Sequence, residues 1–494
     1  MKILLIYPEY PDTFWSFKHA LKFISKKAVL PPLGLLTIAS LLPQEFKKKL
    51  IDMNVAKLTD KDLLNADYVF ISAMITQRES THKLVERCKK LGVKTVAGGP
   101  LFSSLYNEFP EIDHFILNEG EVTLPLFLED LENGNPKRVY TSDIKPDITQ
   151  SPVPQWNLIN FKDYLKIPIQ YSRGCPFDCE FCDIVNLNGK IPRTKEPQQV
   201  IQELDALYDK GWRGSIFIVD DNFIGDKPKT KELLKILIEW QKSKKYRPVF
   251  MTEASLNLAE DEELMSLMRD AGFNSVFIGL ETPSAEALKE CGKHHNKNKD
   301  LVAAVRKIHS YGMEVAAGFI VGFDSDDTSI FRRQIEFIQE TGVVVAMIGL
   351  LQALPGTRLY KRLKEEGRII DNASGNNTDF SINFLPKIDT EVLINGYRDI
   401  VSTVYSAKTY YERIQRFLKD YKSYGREKLS FKYFIAMLRS MWEIGLFESG
   451  RRYYWKLFFL SLFKYPKSFS KFITFTIYHA HFRKIFPELS SNPE

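Results

Sequence analysis

The chain has only five cysteines in 494 residues, and three of them crowd into one short stretch. That scarcity excludes a disulfide framework, because a chain this long can bury its own cores without covalent staples. The two outliers, Cys88 and Cys291, sit among apolar or helical neighbours. No uninterrupted apolar run approaches the roughly 18 residues that a spanning helix needs. The opening, MKILLIYPEYPD, soon turns polar and lacks a cleavage-site pattern, so it does not read as a signal peptide. Net charge is also small over the whole chain, with 68 lysines and arginines against 62 acidic residues for a net +6. Sparse, unpaired cysteines fit a reducing cytoplasm. An apolar content of 44% supports ordinary globular cores, and the length allows two or three domains.

The cysteines that are present are arranged. Residues 172–183 read Ser-Arg-Gly-Cys-Pro-Phe-Asp-Cys-Glu-Phe-Cys-Asp, placing Cys175, Cys179 and Cys182 in a C-x3-C-x2-C spacing. Thiolates are the ligands of iron–sulfur clusters, and a cubane normally takes four. Three without an obvious fourth suggest a [4Fe–4S] cluster with one open iron. A structural zinc site wants four ligands, usually as two separated pairs. No second C-x2-C follows, and His294 and His295 are distant in sequence.

Around that loop the chain reads as α/β. Residues 1–130 alternate short apolar strands with helices: Ile3–Tyr7, Leu33–Leu42, Tyr68–Ser72, Ser80–Leu91, Lys94–Ala97 and His114–Leu117. Such alternation predicts a Rossmann-like parallel sheet, whose ligands bind outside the carboxyl ends of the strands. Residues 131–166 carry Gly134, Pro136, Pro146, Pro152 and Pro154 and read as an ordered connector. Residues 167–357 repeat a strand–helix unit with strand ends at Asp220-Asp221, Glu253, Glu281 and Gly322. Six units predict a partial (β/α)6 barrel. One carboxylate there would be an ordinary helix cap, but recurrence at the same end of successive strands marks a site. Residues 358–494 read as a helical C-terminal region, with Thr390–Lys419 as one helical stretch.

The segment from Lys422 to Pro487 is different. It holds thirteen lysines and arginines against Glu427, Glu443 and Glu448, a net of +10, and 19 aromatics. Basic aromatic helices too interrupted to span suggest a peripheral seat on a membrane, with Trp442, Trp455, Tyr453 and Tyr454 at the headgroup level. A packed helical cap is the alternative, and a nucleic-acid surface the least favoured.

The cysteine loop resembles that of the radical S-adenosylmethionine enzymes. The resemblance implies that the open iron chelates the cofactor's methionine end and that Phe181 packs beside the adenine. Asp220 and Asp221 stand where the family has a Gly-Gly-Glu element for the cofactor's amino group; the glycines are missing here, but an acceptor remains. Glu253 and Glu281 become candidates for ribose hydroxyls or substrate, and Gly279, Gly318 and Gly322 for backbone access to the adenosine. The N-terminal domain resembles the cobalamin-binding domain fused ahead of many such enzymes. Ser72-Ala73-Met74 and Gly98-Gly99 match its Ser-x-Leu and Gly-Gly elements, so Ser72, Met74, Gly98 and Gly99 would lie beside the cobalamin tail. The Asp-x-His-x-x-Gly loop that supplies a histidine to cobalt is absent, and His19 is the nearest histidine.

Segments 11–17, 31–37, 219–225 and 349–357 resemble one subgroup, which includes hopanoid methylases and tetraether-lipid cyclisation enzymes. The implied activity is cobalamin-dependent methylation of an unactivated carbon in an apolar, lipid-like substrate. Radical ring formation without methyl transfer and tRNA modification are the alternatives. A low-potential donor such as ferredoxin or flavodoxin is implied, as is a cytoplasmic protein touching the inner membrane surface through 422–487.

Overall fold

The computed structural model describes residues 1–424 and 431–486. Two six-stranded parallel sheets follow one another, and a helical region packs on the second. The first sheet holds β1 (Lys2–Tyr7), β2 (Lys47–Asp52), β3 (Tyr68–Ser72), β4 (Thr95–Gly98), β5 (His114–Ile116) and β6 (Val139–Tyr140), in the order β2-β1-β3-β4-β5-β6. Its central runs are buried on both faces, which is why they read as continuous apolar stretches. Helices Leu33–Leu41 and Gly120–Glu132 cover one face, and Arg78–Lys90 with Pro100–Leu105 cover the other. Cys88 lies in that second layer as a buried apolar side chain.

Two strands depart from expectation. β2 reads Lys-Lys-Lys-Leu-Ile-Asp, and its lysines mask it because it is an edge strand. β6 lies within the segment read as a connector and pairs with β5 before the chain crosses over.

The second sheet starts with β7 (Lys166–Ile169). A short antiparallel hairpin, β8 (Ser172–Arg173) with β9 (Arg193–Thr194), frames the cysteine loop. The remaining strands are β10 (Ser215–Ile218), β11 (Phe250–Glu253), β12 (Phe273–Glu281), β13 (Glu314–Val321) and β14 (Ala346–Leu350). They lie in the order β14-β13-β12-β11-β10-β7, so β7 and β14 are outer edges and the barrel is partial.

The β14 edge is covered by the C-terminal region. Thr390–Lys419 is two helices rather than one, Thr390–Tyr405 and Ala407–Asp420. Ser406 leaves helical angles between them and caps the second by accepting from the Thr409 N–H. From the first helix the hydroxyls of Tyr397 and Tyr405 donate to the carbonyls of Ile348 and Ala346. Two edge carbonyls of β14 are satisfied without another strand.

Helix Phe469–Ile485 is buried on nearly every side, with Phe472, Phe475 and Phe482 in the main core and His479 buried beside them. Phe482 stacks on Phe14 of the N-terminal loop at 4.4 Å between ring centroids. For this helix the aromatics serve packing, which corrects the expectation of a surface seat. Of the four residues assigned to the headgroup level, only Trp442 is exposed. Tyr454 is enclosed and bonds Ser440, Tyr453 is half-buried, and the Trp455 indole donates to the Gly445 carbonyl. Glu427 and Pro487 lie outside the described residues.

Candidate active site

The carboxyl ends of both sheets converge on one cavity of about 950 Å³. On the N-terminal side it enters between helix Leu33–Leu41 and the sheet, where Leu35, Ile38, Leu41, Phe70, Val96 and Ile116 form an apolar slot. Ser72, Met74, Gly98 and Gly99 line its mouth. Gly99 has φ +94°, and a Cβ there would meet the Ser72 hydroxyl at 2.6 Å. A Cβ on Gly98 would meet the Ile116 carbonyl at 2.7 Å. The Gly-Gly pair is therefore demanded by backbone closeness at the slot. A flat, largely apolar ring system fits this slot. The first loop presents Tyr10, Thr13 and Trp15 to the cavity and turns His19 toward Asp12 and His481.

On the barrel side, the cysteine loop is fastened at its root. Asp221 accepts from the Gly174 N–H at 2.7 Å and the Asn188 amide at 2.9 Å. The Cys175 N–H donates to the Gly189 carbonyl. Cys175, Cys179 and Cys182 are free and partly buried. Burial raises all three thiols, Cys182 to about 12, and the charges of neighbouring cysteines add to the rise at Cys179 and Cys182. The three sulfurs thus share one poorly solvated place, which a cationic iron–sulfur cluster suits. Among the described residues no three His, Cys, Asp or Glu side chains converge on a single ion. A cubane spreads its thiolates over separate irons.

The acidic pair splits by direction. Asp220 is enclosed and accepts from the Tyr171 N–H and the Ser172 hydroxyl, at 2.8 and 2.7 Å. Both of its oxygens accept from the chain and it stands outside the cavity wall, whereas Asp221 lines the cavity. Glu253 also lines the cavity. Burial, then Asp221 and Asp220, raise its carboxyl to about 8. At neutral pH Glu253 is therefore largely protonated and can both donate and accept.

The other assigned residues lie beside the cavity rather than in its wall. Glu281, at φ +65°, pairs with Lys293. Gly279 leaves room for that pair, since a Cβ there would collide with both the Glu281 carboxylate and the Lys293 amine. Gly318 faces Phe277 and Met347, and Gly322 (φ +104°) donates to Asp326. Phe181 packs in a small core with Phe323 and Cys291.

Sequence reasoning missed the clamp between the domains. Arg173, immediately before the loop glycine, donates to Glu119 at 2.6 Å and to Glu121 at 2.7 Å. Arg193, on the partner strand of the hairpin, also reaches Glu119 at 2.7 Å. All four side chains are largely buried. Arg173 holds the Glu121 carboxyl down to about 2 against burial, which acts the other way. The signal was present as Glu-Gly-Glu after β5, but its partner lies more than 50 residues on.

Comparisons with known proteins agree with this arrangement. Residues 23–128 match the B12 binding domain, 169–338 the Radical SAM superfamily, and 357–494 a domain of unknown function, DUF4070. An uncharacterized methyltransferase of Synechocystis sp. is 41% identical over 98% of this chain and 91% of its own. The hopanoid C-2 methylase of Rhodopseudomonas palustris is 35% identical, covering 92% of this chain and 88% of its own. The fold is shared with the cobalamin-dependent S-adenosylmethionine radical enzyme OxsB, at a TM-score of 0.64 and 15% identity over 99% of this chain and 80% of that one. The chain belongs to the cobalamin-dependent radical S-adenosylmethionine methyltransferase family, with a B12-binding domain, a radical barrel and the DUF4070 extension.

Proposed function

We propose that the enzyme methylates an unactivated carbon of an apolar, lipid-like substrate held between the two domains. The observation that carries this reading is the single cavity, continuous from the apolar slot of the first domain into a barrel lumen lined by Phe217, Met251, Phe277 and Met347. The name of the hopanoid methylase relative supports the same substrate class. When bound, the cofactors supply a carbon-centred radical and a methyl group. The chain's own part is to hold three partners in line and keep water out. Cys175, Cys179 and Cys182 hold the cluster, Asp221 receives the ammonium of S-adenosylmethionine, and protonated Glu253 bonds a hydroxyl of the cofactor or substrate. Ser72, Met74, Gly98 and Gly99 border the cobalamin tail. The test is anaerobic turnover of reconstituted enzyme with methyl-labelled S-adenosylmethionine and a lipid extract. Label in a lipid is expected; label only in added tRNA or peptide would overturn the reading.

Asp221 and Asp220 separate by experiment. Asp221→Asn is expected to weaken S-adenosylmethionine binding roughly tenfold, the scale of one charge-assisted hydrogen bond, with iron retained. Asp220→Ala leaves the buried Tyr171 N–H unpaired and is expected to lower iron retention instead. Equal affinities in wild type and Asp221→Asn would make Asp221 a loop anchor alone.

A lipid-like substrate also needs a route, and we place it at the helical hairpin Phe431–Phe447 and Arg451–Lys464. Phe434, Leu438, Trp442 and Leu446 recur every four residues along one exposed face, and Phe447 (70% exposed) and Phe463 (79%) extend it. Exposed Arg451, Arg452, Lys456, Lys464 and Lys467 lie on the hairpin and just after it. No helix among the described residues is long and apolar enough to cross a membrane, so the contact is peripheral. Each basic residue near an anionic surface contributes on the order of 1 kcal/mol. Flotation with anionic vesicles is expected, weakened by salt and lost in Trp442→Ser/Phe463→Ser. Equal recovery with neutral vesicles, or none with anionic ones, would make the hairpin a packed cap.

A further inference from the structure

The lumen of the barrel continues well below the cluster loop. Lys166 begins β7, and alternation along that strand turns Lys166, Pro168 and Gln170 toward the cavity. Parallel register sets Lys166 beside Ser215 and carries Glu314 through Ser275, Met251 and Phe217 to the level of Pro168, one inward-facing step along β7 from Lys166, and both Lys166 and Glu314 line the lower part of the cavity. Asp221 and Glu253 stand in the top layer, at the other ends of their strands. The four-residue step from Lys166 to Gln170 makes the lumen about 13 Å deep.

That floor is polar and has an excess cation. Helix Phe469–Ile485 crosses it and supplies Lys471 and Tyr478. Lys471 pairs with Glu314 at 2.7 Å, both largely enclosed. The hydrogen bond found for the Lys166 amine goes to the Met251 sulfur, a weak acceptor. Glu314 is thus taken up by Lys471, while Lys166 faces the cavity with no carboxylate in ion-pair contact among the described residues. Burial lowers the Lys166 amine to about 8; Glu314 acts against this and Lys471 with it. An enclosed ammonium without a counter-charge is costly, and a ligand anion removes the cost.

We propose that the barrel floor is a headgroup subsite, in which Lys166 binds the carboxylate end of an elongated apolar substrate whose other end lies at the cluster loop. The proposal rests on the reading that the substrate is lipid-like. It gives the lumen a polarity: an apolar wall between a radical-generating mouth and a cationic foot.

The test uses the full-length holoprotein and two probes of equal chain length, hexadecanoate and hexadecanol, with binding measured by calorimetry. Wild type is expected to prefer hexadecanoate by roughly tenfold to a hundredfold, the scale of a hydrogen bond to a charged group. Lys166→Met is expected to erase that preference by weakening hexadecanoate alone. It should melt no lower than wild type, since it removes a buried charge without a partner. The amine must be protonated to bind, so hexadecanoate affinity should fall as pH rises above about 8, with hexadecanol unaffected. Equal affinities for the two probes, or a preference intact in Lys166→Met, would overturn the subsite and leave the lipid-like reading standing. Should that variant not fold, a wild-type preference unchanged up to about pH 10 would overturn it. Binding of neither probe would overturn the lipid-like reading and the subsite together.

Discussion

Alanine at any one of Cys175, Cys179 or Cys182 is expected to abolish reductive cleavage of S-adenosylmethionine. In the proposed cluster each thiolate would hold a different iron, and the two other cysteines are engaged elsewhere: Cys88 is enclosed in the first domain, and Cys291 is buried against Leu288 and Phe181. The loop's shape should survive the change, because it is set by backbone bonds from Gly174 and Cys175 to Asp221 and Gly189. Loss of activity should therefore come with loss of iron and no comparable loss of fold. Iron content, cluster absorbance and 5′-deoxyadenosine formation are the readouts. Full iron and undiminished cleavage in the triple variant would show that the cluster is held elsewhere.

The second large effect is expected at the clamp between the domains. Arg173→Met leaves Glu119 and Glu121 buried with only Arg193 to answer both. Breaking a buried ion pair from one side costs about 3–5 kcal/mol. Melting temperature should fall sharply, and more for Arg173→Met than for Arg173→Lys. Methyl transfer should suffer more than cleavage of S-adenosylmethionine, because the clamp sets the first domain against the cluster loop without touching the cysteines. The pH dependence has a definite sign. The Glu121 carboxyl is held below its ordinary value of 4.5, at about 2. Its contribution is present above the ordinary value and is lost as pH falls from there toward about 2. Glu121→Gln should remove this acid-side loss and lower stability at neutral pH. An unchanged melting temperature in Arg173→Met would mean the pair is worth little.

What the sequence disclosed follows the range of the interactions. The cysteine loop stood out because its three thiols are local in sequence, and the structure frames it with the β8–β9 hairpin. The central strands were legible because burial on both faces leaves an unbroken apolar run. β2 was hidden because an edge strand keeps its lysines in water. Asp220 and Asp221 were legible as residues but not as directions: one side chain turns back to the β7–β8 link and the other toward the cavity. The tail shows the limit most clearly. Phe472 and Phe463 have the same composition signal, yet one is fully buried and the other largely exposed. Only the partners brought together in space decide which aromatics are core: Phe472 packs on Tyr454, Phe458 and Phe469, and Phe482 on Phe14. Lys166 gave no signal, since one lysine at the start of a strand is ordinary until the structure turns it toward the cavity with no ion-paired carboxylate among the described residues.

The tyrosine hydroxyls on the β14 edge bear on how such enzymes diversify. The extension is matched as a family of its own, beginning at 357, after the match to the barrel has ended at 338. That division in descent is not one in folding. Tyr397 and Tyr405 complete the hydrogen bonding of β14, and helix Phe469–Ile485 supplies part of the barrel's floor. Recombination that exchanged this barrel for another would strip the incoming one of an edge cap and a floor cut to a different lumen. In this chain the barrel and the extension are therefore one hydrogen-bonded and packed unit.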